Sequence, residues 1–278
     1  MKDLFRKSSL RSSKVVTNTY STSFSLGIRV LDSSIHDAIY AIYGFVRLAD
    51  EIVDTFHDQD KETLLQEFVK ETDLALERKF SLNPVLHSFQ WVVHKYQIEK
   101  ELIDAFIRSM EYDLFKKVYN RAAFEDYVYG SAEVVGLMCL RVFCDGNEAQ
   151  YQKLKDPAKK LGAAFQKINF LRDLKADFEE KGRSYFPQID LSNFTEGDKK
   201  EIEDEIEEDF RAGYEGIKKL PANAKFGVYT AYVYYYALHQ KIKKVKAQRV
   251  LKERIRIPNR IKYSLLCASY LRFKMGSI

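Results

Sequence analysis

The sequence is poor in the residues that usually interrupt secondary structure or separate domains. Its 278 residues include only 12 glycines and 5 prolines, and no Ser- or Gly-rich linker, low-complexity tract or repeat divides them. We therefore predict a single domain over residues 1–278. Segments that alternate apolar and polar residues are also lacking, whereas apolar residues at helical spacing are common, so we predict an all-α fold.

Cysteines and long apolar runs are equally scarce. The spacing of Cys139, Cys144 and Cys267 matches no zinc or disulfide framework, so we expect three reduced core residues of a cytoplasmic protein. No window approaches the ~20 apolar residues of a membrane span, and no apolar signal region follows the basic N-terminus. The five histidines are scattered, which gives no support for Ser/His/Asp or Cys/His catalysis. We predict a soluble protein.

Positive charge is concentrated towards the C-terminus. Between Lys241 and Lys274 there are twelve Lys or Arg residues and a single acid, Glu253. A solvated terminal helix is the ordinary explanation. The functional explanation is attraction to anions or peripheral contact of the basic termini with the inner membrane surface. No nucleic-acid module accompanies the basic run, so we expect no nucleic-acid partner.

Caps, prolines and periodicity predict the helices. They are expected over residues 33–56, 60–80, from 84, 99–118, 123–143, 156–180, 197–220, 223–246 and from 258 onward. Every proline would then lie at a helix start or in a connection. The Ser/Thr cluster over residues 20–24 is typical of a turn or cap. Inside one helix, Gly130 and Gly136 each cost about 1 kcal/mol relative to Ala, which indicates close packing there.

The predicted helix over residues 156–180 carries two carboxylates one turn apart. Asp173 and Asp177 share a face because four positions turn a helix to within ~40° of its starting direction. Asn169 and Gln166 continue this polar stripe. A like-charged i,i+4 pair costs about 0.2–0.5 kcal/mol, so it needs an explanation. A solvated face would be the ordinary one, but Mg2+ also prefers carboxylate oxygens and leaves positions for substrate phosphates.

A second predicted helix repeats this arrangement. Asp50 and Asp54 are four residues apart, and Arg47 precedes Asp50 by one turn. The surrounding residues are mostly apolar, as in a buried helix. Because buried carboxylates without partners are very unfavourable, we expect the two acidic faces to line a shared cavity and to hold divalent metal there. Such a metal centre would bind a diphosphate.

Five motifs, taken in order, resemble the squalene and phytoene synthase family of head-to-head prenyl synthases. They are YSTSF at 20–24, RLADEIVD at 47–54, YVYGSAEVVG at 127–136, FQKINFLRDLKAD at 165–177 and GRSYFP at 182–187. Each motif alone is weak, but five in order are highly specific. The resemblance spans nearly the whole chain and implies the all-α isoprenoid synthase fold, with a central cavity lined by two Asp-rich helices.

The resemblance also implies roles for individual residues. Tyr127 matches the first tyrosine of the family motif and would act at the reacting centre, together with the four aspartates. Mg2+, or Mn2+ in its place, would be held by Asp50, Asp54, Asn169, Asp173 and Asp177. The substrate diphosphate would be bound by the flap near the start of the chain and by the two acidic helices, through Ser21, Ser23, Phe24, Arg47, Gln166, Asn169 and Arg172.

The family chemistry implies the reaction. One prenyl diphosphate loses its diphosphate, and the alkene of the second traps the allylic cation to give a cyclopropylcarbinyl diphosphate. This intermediate then loses its own diphosphate, rearranges and loses a proton to give the linear hydrocarbon. We predict that two geranylgeranyl diphosphates become phytoene, as in carotenoid biosynthesis, because residues 130–138 look most like bacterial phytoene synthases. No NADPH is expected, and no GxGxxG motif is present. The alternative is a C30 synthase that makes squalene or dehydrosqualene from farnesyl diphosphate.

Some residues depart from the family pattern. Glu133 stands where many members have glycine, Val128 where they have cysteine, and Glu51 where a second aspartate is frequent. None of these changes removes a metal pair. A head-to-tail prenyl synthase or a terpene cyclase would use the same metal chemistry, but the motifs at 127–136 and 165–177 argue against them. A catalytically inactive helical assembly factor is a further alternative, although all four aspartates are retained here.

Overall fold

The computed structural model describes residues 2–20, 22–115, 119–179, 185–187, 189, 193–276 and 278. Within these ranges the chain forms helices and no strand, so the all-α prediction is confirmed. The α-helices are α1 (Lys2–Tyr20), α2 (Thr22–Arg29), α3 (His36–Asp54), α4 (Lys61–Arg78), α5 (Pro84–Tyr96), α6 (Lys100–Phe115), α7 (Arg121–Val128), α8 (Val134–Cys144), α9 (Glu148–Glu179), α10 (Glu196–Ile217), α11 (Ala222–Lys243), α12 (Ala247–Val250) and α13 (Asn259–Lys274). A 3₁₀ turn (Ser33–Ile35) precedes α3, and a π turn (Tyr129–Glu133) joins α7 to α8.

Side-chain caps start several helices where the sequence predicted them. Asp60 accepts a hydrogen bond from a backbone N–H of the first turn of α4. Asn83 does the same for α5, with Pro84 as its first residue. Thr195 and Asp198 form a reciprocal capping box at the start of α10. Each such cap typically contributes about 1 kcal/mol, because it satisfies a donor that the helix itself cannot pair.

The longest helix, α9, begins earlier than predicted. We expected it to start at residues 156–157, but it runs from Glu148 and contains Pro157 in its interior. The expectation that every proline lies outside helix interiors was therefore wrong. An interior proline normally disrupts a helix, because it lacks an N–H and its ring meets the preceding turn. Here α10 approaches that ring at Gly216, where a Cβ would overlap Pro157.

The π turn marks a close contact between helices. A Cβ on Gly130 would lie 2.5 Å from the carbonyl oxygen of Ala105 and 2.8 Å from the Cβ of Ser109, both on α6. This confirms that Gly130 is needed for close packing. At Gly136 the nearest atom to such a Cβ is 3.5 Å away, an ordinary contact that does not require glycine. Short π segments within helices often occur at functional sites, and this one begins two residues after Tyr127.

The helical stretch Arg121–Cys144 is long and apolar enough to cross a membrane, judged by length and composition alone. Our expectation that no segment would approach a membrane span is thereby corrected. Of its most apolar window, however, 56% is buried within the protein, and Val134, Leu137 and Met138 are fully enclosed. Packing in the protein core therefore accounts for the apolar composition of this stretch.

The buried apolar residues form two cores. The first gathers around α3, α5, α6 and α8, where Phe45 and Phe89 stack with ring centroids 3.9 Å apart. The second gathers around α9, α10 and α11, where Phe170 and Tyr185 stack at 4.1 Å. Helix α8 packs against both α3 and α9. Helix α3 belongs to the first core, whereas α9 begins in the first core at Tyr151 and Leu154 and continues into the second, which contains its acidic end.

The cysteines only partly match the expectation of three core residues. Cys144 is buried and Cys139 is partly buried, and burial raises the pKa of these thiols to about 11 and about 12. Cys267, on α13, is exposed, so its assignment to the core was wrong. That helix lies at the surface and buries only one side against α11.

Candidate functional site

The first acidic face lies on the last turns of α3. Asp50 and Asp54 are both partly buried there. Their neighbour Glu51 is buried and forms an ion pair with the guanidinium of Arg47. A buried carboxylate requires such a partner, because its desolvation is otherwise uncompensated. The helix thus presents two partly exposed carboxylates beside a tightly paired arginine.

Arg47 is fixed by several contacts. Besides its ion pair with Glu51, Arg47 lies near Asp50, with its Nη1 3.8 Å from Oδ2 of that residue. The Arg47 guanidinium also lies over the ring of Tyr20, 4.7 Å from the ring centroid. Its Nε is buried and has no acceptor within the described part of the chain. The N–H groups of a guanidinium are held in a rigid, planar arrangement that matches anionic oxygens. The unpaired Nε–H of Arg47 is therefore suited to donate to an anionic oxygen. Tyr20 belongs to the first sequence motif, so the structure brings the first and second motifs together.

The second acidic face lies on α9, where Asp173 is held between two arginines. Arg172 donates to both carboxylate oxygens, with its Nε 3.0 Å from Oδ1. The Nε of Arg254 forms an ion pair with Oδ1 at 2.6 Å, and its Nη2 donates a hydrogen bond to Oδ2 at 3.2 Å. Sequence reasoning placed Arg172 near the site but did not single out Arg254, which entered only as part of the basic C-terminal run.

Asn169 precedes Asp173 by one turn of α9. Its side-chain Oδ1 is buried and finds no hydrogen-bond donor among the described residues. The amide interacts with the hydroxyl of Tyr235 on α11. Burial raises the pKa of this tyrosine, whereas Arg172 and the Asn169 amide lower it. An unsatisfied buried oxygen costs about 1–3 kcal/mol, and a hard cation prefers such an oxygen. Asn169 therefore fits the predicted role of metal ligand.

Gln166, the other amide of the predicted stripe, contacts the π turn. Its Nε2 donates to the hydroxyl of Ser131 at 3.3 Å. This bond connects α9 to the YVYGSAEVVG motif, which the sequence could not place relative to the acidic helix. The third and fourth motifs are therefore adjacent in the structure.

Tyr127 lies in a buried group of aromatic rings. Its ring centroid is 5.1 Å from that of Tyr119, 5.3 Å from Tyr185 and 5.8 Å from Phe170. Its hydroxyl donates to both carboxylate oxygens of Asp113, at 2.9 Å each. Burial, and then the charge of Asp113, raises the pKa of Tyr127 well above its ordinary value. The phenol therefore stays protonated. Asp113, at the end of α6, was not predicted.

Several predicted residues fall outside what the structure describes. Ser21 is not described, nor are the side chains of Ser23, Phe24 and Asp177. Their assignments to the diphosphate and the metal stay predictions. Among the described side chains, no group of three or more His, Cys, Asp or Glu residues is placed to hold a metal ion. The shared metal centre of four aspartates likewise stays a prediction.

Glu133, which stands where many family members have glycine, is held by lysines of α9. It occupies the π turn, with its Oε2 3.6 Å from the Nζ of Lys159. Burial raises the pKa of Glu133, and the two lysines Lys159 and Lys160 lower it. The groove around it, about 560 Å³ in volume, is lined by residues of α7, the π turn, α9 and α10 and by none of the predicted site residues. Glu133 therefore lines this groove and not either of the two acidic faces.

Comparison with known proteins identifies the family. The squalene/phytoene synthase family model matches residues 17–260, which is most of the chain, so the protein belongs to the squalene/phytoene synthase family. Members of this family are prenyltransferases. The resemblance inferred from the five sequence motifs is thereby confirmed.

Individual relatives are similar at modest identity. The 4,4'-diapophytoene synthase of Staphylococcus haemolyticus (strain JCSC1435) is 28% identical over 70% of this chain, and the match spans just under two thirds, 66%, of that protein. The phytoene synthase of Arthrospira platensis is 26% identical, with 97% of this chain and 95% of that protein covered. The crystal structure of a dehydrosqualene synthase in complex with ligand superimposes with a TM-score of 0.83 at 21% identity, covering 97% of this chain and 98% of that one. The structural likeness confirms the all-α fold.

Proposed function

We propose that the protein condenses two prenyl diphosphates head to head and releases diphosphate, with residues 1–278 acting as one catalytic domain. The observation that supports this most is the buried, unsatisfied oxygen of Asn169, one turn from Asp173 on an acidic helix face. Divalent metal, Mg2+ or Mn2+, would be held by Asp50, Asp54, Asn169, Asp173 and Asp177. When bound, it would supply the positive charge that stabilises a departing diphosphate.

The chain's own groups would bind and orient the substrates. The spare donor of Arg47 would take a diphosphate oxygen, and Arg172 would do so from the opposite helix. Gln166, Ser21, Ser23 and Phe24 would complete the diphosphate pocket. Tyr127 stays neutral and sits among stacked aromatic rings, whose faces can stabilise a carbocation by cation–π interaction. The four aspartates and Tyr127 would be the catalytic residues.

For the substrate, we propose geranylgeranyl diphosphate, with phytoene as product in carotenoid biosynthesis and without NADPH. The relative named phytoene synthase, which is matched over nearly its full length, supports this choice. The second candidate is a C30 synthase that uses farnesyl diphosphate and makes squalene or dehydrosqualene. It is favoured by the relative named 4,4'-diapophytoene synthase, whose identity is similar.

The substrate proposal is tested by incubating purified protein and Mg2+ with farnesyl or geranylgeranyl diphosphate, each with and without NADPH. We expect phytoene as the dominant hydrocarbon by mass analysis, a higher kcat/KM for geranylgeranyl diphosphate, and no change in product mass with NADPH. Faster formation of a C30 hydrocarbon would overturn the chain length and leave the reaction class intact. Absence of any diphosphate release would favour an inactive assembly factor instead.

We also propose that the protein is cytoplasmic and that α13 contacts an anionic membrane surface from the inner side. One side of α13 packs on α11, where Phe273 lies 5.2 Å from Phe226. Leu271 on this helix and Met275, which directly follows it, are exposed, at 60% and 71%. The basic residues of this helix are Arg260, Lys262, Arg272 and Lys274. An exposed apolar strip beside basic residues is typical of helices that lie in a bilayer interface.

Replacing Leu271 and Met275 together by Ser is expected to weaken binding to vesicles of phosphatidylglycerol and phosphatidylcholine severalfold, because apolar area is lost from the interface. Cosedimentation measures the bound fraction. The matched control is Leu82→Ser, since Leu82 is 82% exposed but lies between α4 and α5. Equal losses in both variants, or no binding by the parent protein, would contradict membrane contact through α13.

A further inference from the structure

The contact between Arg254 and Asp173 affects how a metal ion could bind to Asp173. Both oxygens of the Asp173 carboxylate are engaged by Arg254, and both are also engaged by Arg172. Within the described part of the chain, the single negative charge of Asp173 therefore faces the positive charges of two arginines. A metal ion held by the same carboxylate would add further positive charge there, so Arg254 would compete with such an ion for Asp173.

The segment that carries Arg254 is firmly anchored. It connects α12 to α13, and Ile255 and Ile257 are buried in the second core. The backbone carbonyl of Arg256 accepts a hydrogen bond from Lys241 at 2.6 Å. Because buried and exposed residues alternate along it, the arginine at 254 points away from the buried isoleucines. Tertiary structure thus places the Arg254 side chain against Asp173, although the two residues are 81 positions apart in the sequence.

The two arginines differ in their freedom to move. Arg172 adjoins Asp173 on the same helix, and its side chain is 17% exposed. Arg254 comes from a separate segment, and its side chain is 49% exposed against 22% for Asp173. A flexible and half-exposed arginine can exchange one anionic partner for another without disturbing the core. Phosphate oxygens match the guanidinium fork as well as carboxylate oxygens do.

From this geometry we propose that Arg254 neutralises Asp173 before the substrate arrives and then transfers to the substrate diphosphate. The inference rests on the proposed function and adds a residue and a sequence of events to it. Arg254 and a metal ion compete for the Asp173 carboxylate. Arg254 therefore lowers the affinity of the protein for metal before diphosphate binds. Once a diphosphate is present, Arg254 binds it and the carboxylate becomes available. Metal and diphosphate therefore bind cooperatively.

The test measures binding of Mn2+ and of inorganic pyrophosphate to the purified full-length protein. The concentration of free Mn2+ is measured by electron paramagnetic resonance, with and without pyrophosphate. The affinity for pyrophosphate is measured by calorimetry at saturating Mn2+. In Arg254→Gln we expect tighter Mn2+ binding without pyrophosphate and weaker pyrophosphate binding. The enhancement of Mn2+ affinity by pyrophosphate should fall about tenfold, within the usual range of coupling between two ligands.

Arg256→Gln is the matched control, because Arg256 is exposed on the same segment and the segment is anchored there through its backbone carbonyl. It should retain the parent coupling. If Arg254→Gln behaves like this control, or if it weakens Mn2+ and pyrophosphate binding in parallel as a folding defect would, the inference is overturned while the proposed function stands. If the parent protein binds neither Mn2+ nor pyrophosphate, the proposed function fails and the inference fails with it.

Discussion

Replacing Asp50 or Asp173 by Asn is expected to lower kcat/KM for prenyl diphosphates by about 10²–10³-fold or more. The amide preserves the shape of the side chain but removes the negative charge that would hold a divalent cation, and loss of one such electrostatic contribution commonly has an effect of this size. Activity should also vanish when EDTA removes metal. Steady-state kinetics at several Mg2+ concentrations measures both effects.

Unfolding temperatures of these variants separate a metal role from a structural one. Asp50→Asn should leave the unfolding temperature in metal-free buffer nearly unchanged, because Arg47 keeps its pair with Glu51. Asp173→Asn should lower it by about 2–4 °C, since the two arginines on Asp173 would lose their shared carboxylate. Asp58→Asn, at an exposed position between α3 and α4, is the control. Turnover within a fewfold of the parent in both variants would contradict the metal assignment.

Tyr127→Phe is expected to lower kcat and kcat/KM together by about a hundredfold, with little change in KM. The variant keeps the aromatic ring in its stack and removes only the hydroxyl that donates to Asp113. An effect on both parameters indicates an interaction made in the transition state, whereas a rise in KM alone would indicate a wall of the pocket. A contribution of about 10²–10⁴ is usual for a group that handles a proton.

Two further variants sharpen this prediction. Tyr129→Phe, two residues further on, is the control, because Tyr129 lines the outer groove beside Lys159 and should tolerate loss of its hydroxyl. Asp113→Asn should reduce kcat if Asp113 orients the Tyr127 phenol. It should then have little additional effect in the Tyr127→Phe background, because two residues in one hydrogen-bonded unit are not additive. Additive losses would show that Asp113 acts independently of Tyr127.

The sequence predicted most of the helices because their ends carry recognisable caps, but it missed the first two. Helix α1 is rich in Ser and Thr, residues that usually favour turns. In the structure, Ser9 and Thr17 donate to the carbonyl oxygens four residues earlier, and the Ser13 hydroxyl lies 2.7 Å from that of Ser88. These small hydroxyls are buried against α3 and α5, so tertiary packing overrides the local preference.

The candidate site was predictable only where it depends on local spacing. Helical periodicity predicts the two pairs of aspartates, which begin at Asp50 and at Asp173. It also places Asn169 on the same helix face as the second pair. The partners of these residues depend on tertiary structure instead. Nothing in the sequence connects Arg254 to Asp173, or Asp113 to the Tyr127 hydroxyl, because each contact joins segments whose relative positions are set by the packing of separate helices. Helix periodicity carries no information about such contacts.

The central claim is that two prenyl diphosphates are joined head to head, and the amount of diphosphate released per product tests it most directly. Purified protein with Mg2+ and its preferred prenyl diphosphate is quenched at intervals, and diphosphate and hydrocarbon are quantified in the same samples. We predict two diphosphates released for every hydrocarbon formed and none without metal. Release of one diphosphate together with a longer linear allylic diphosphate, and not the cyclopropylcarbinyl diphosphate, would indicate head-to-tail condensation and would contradict the account.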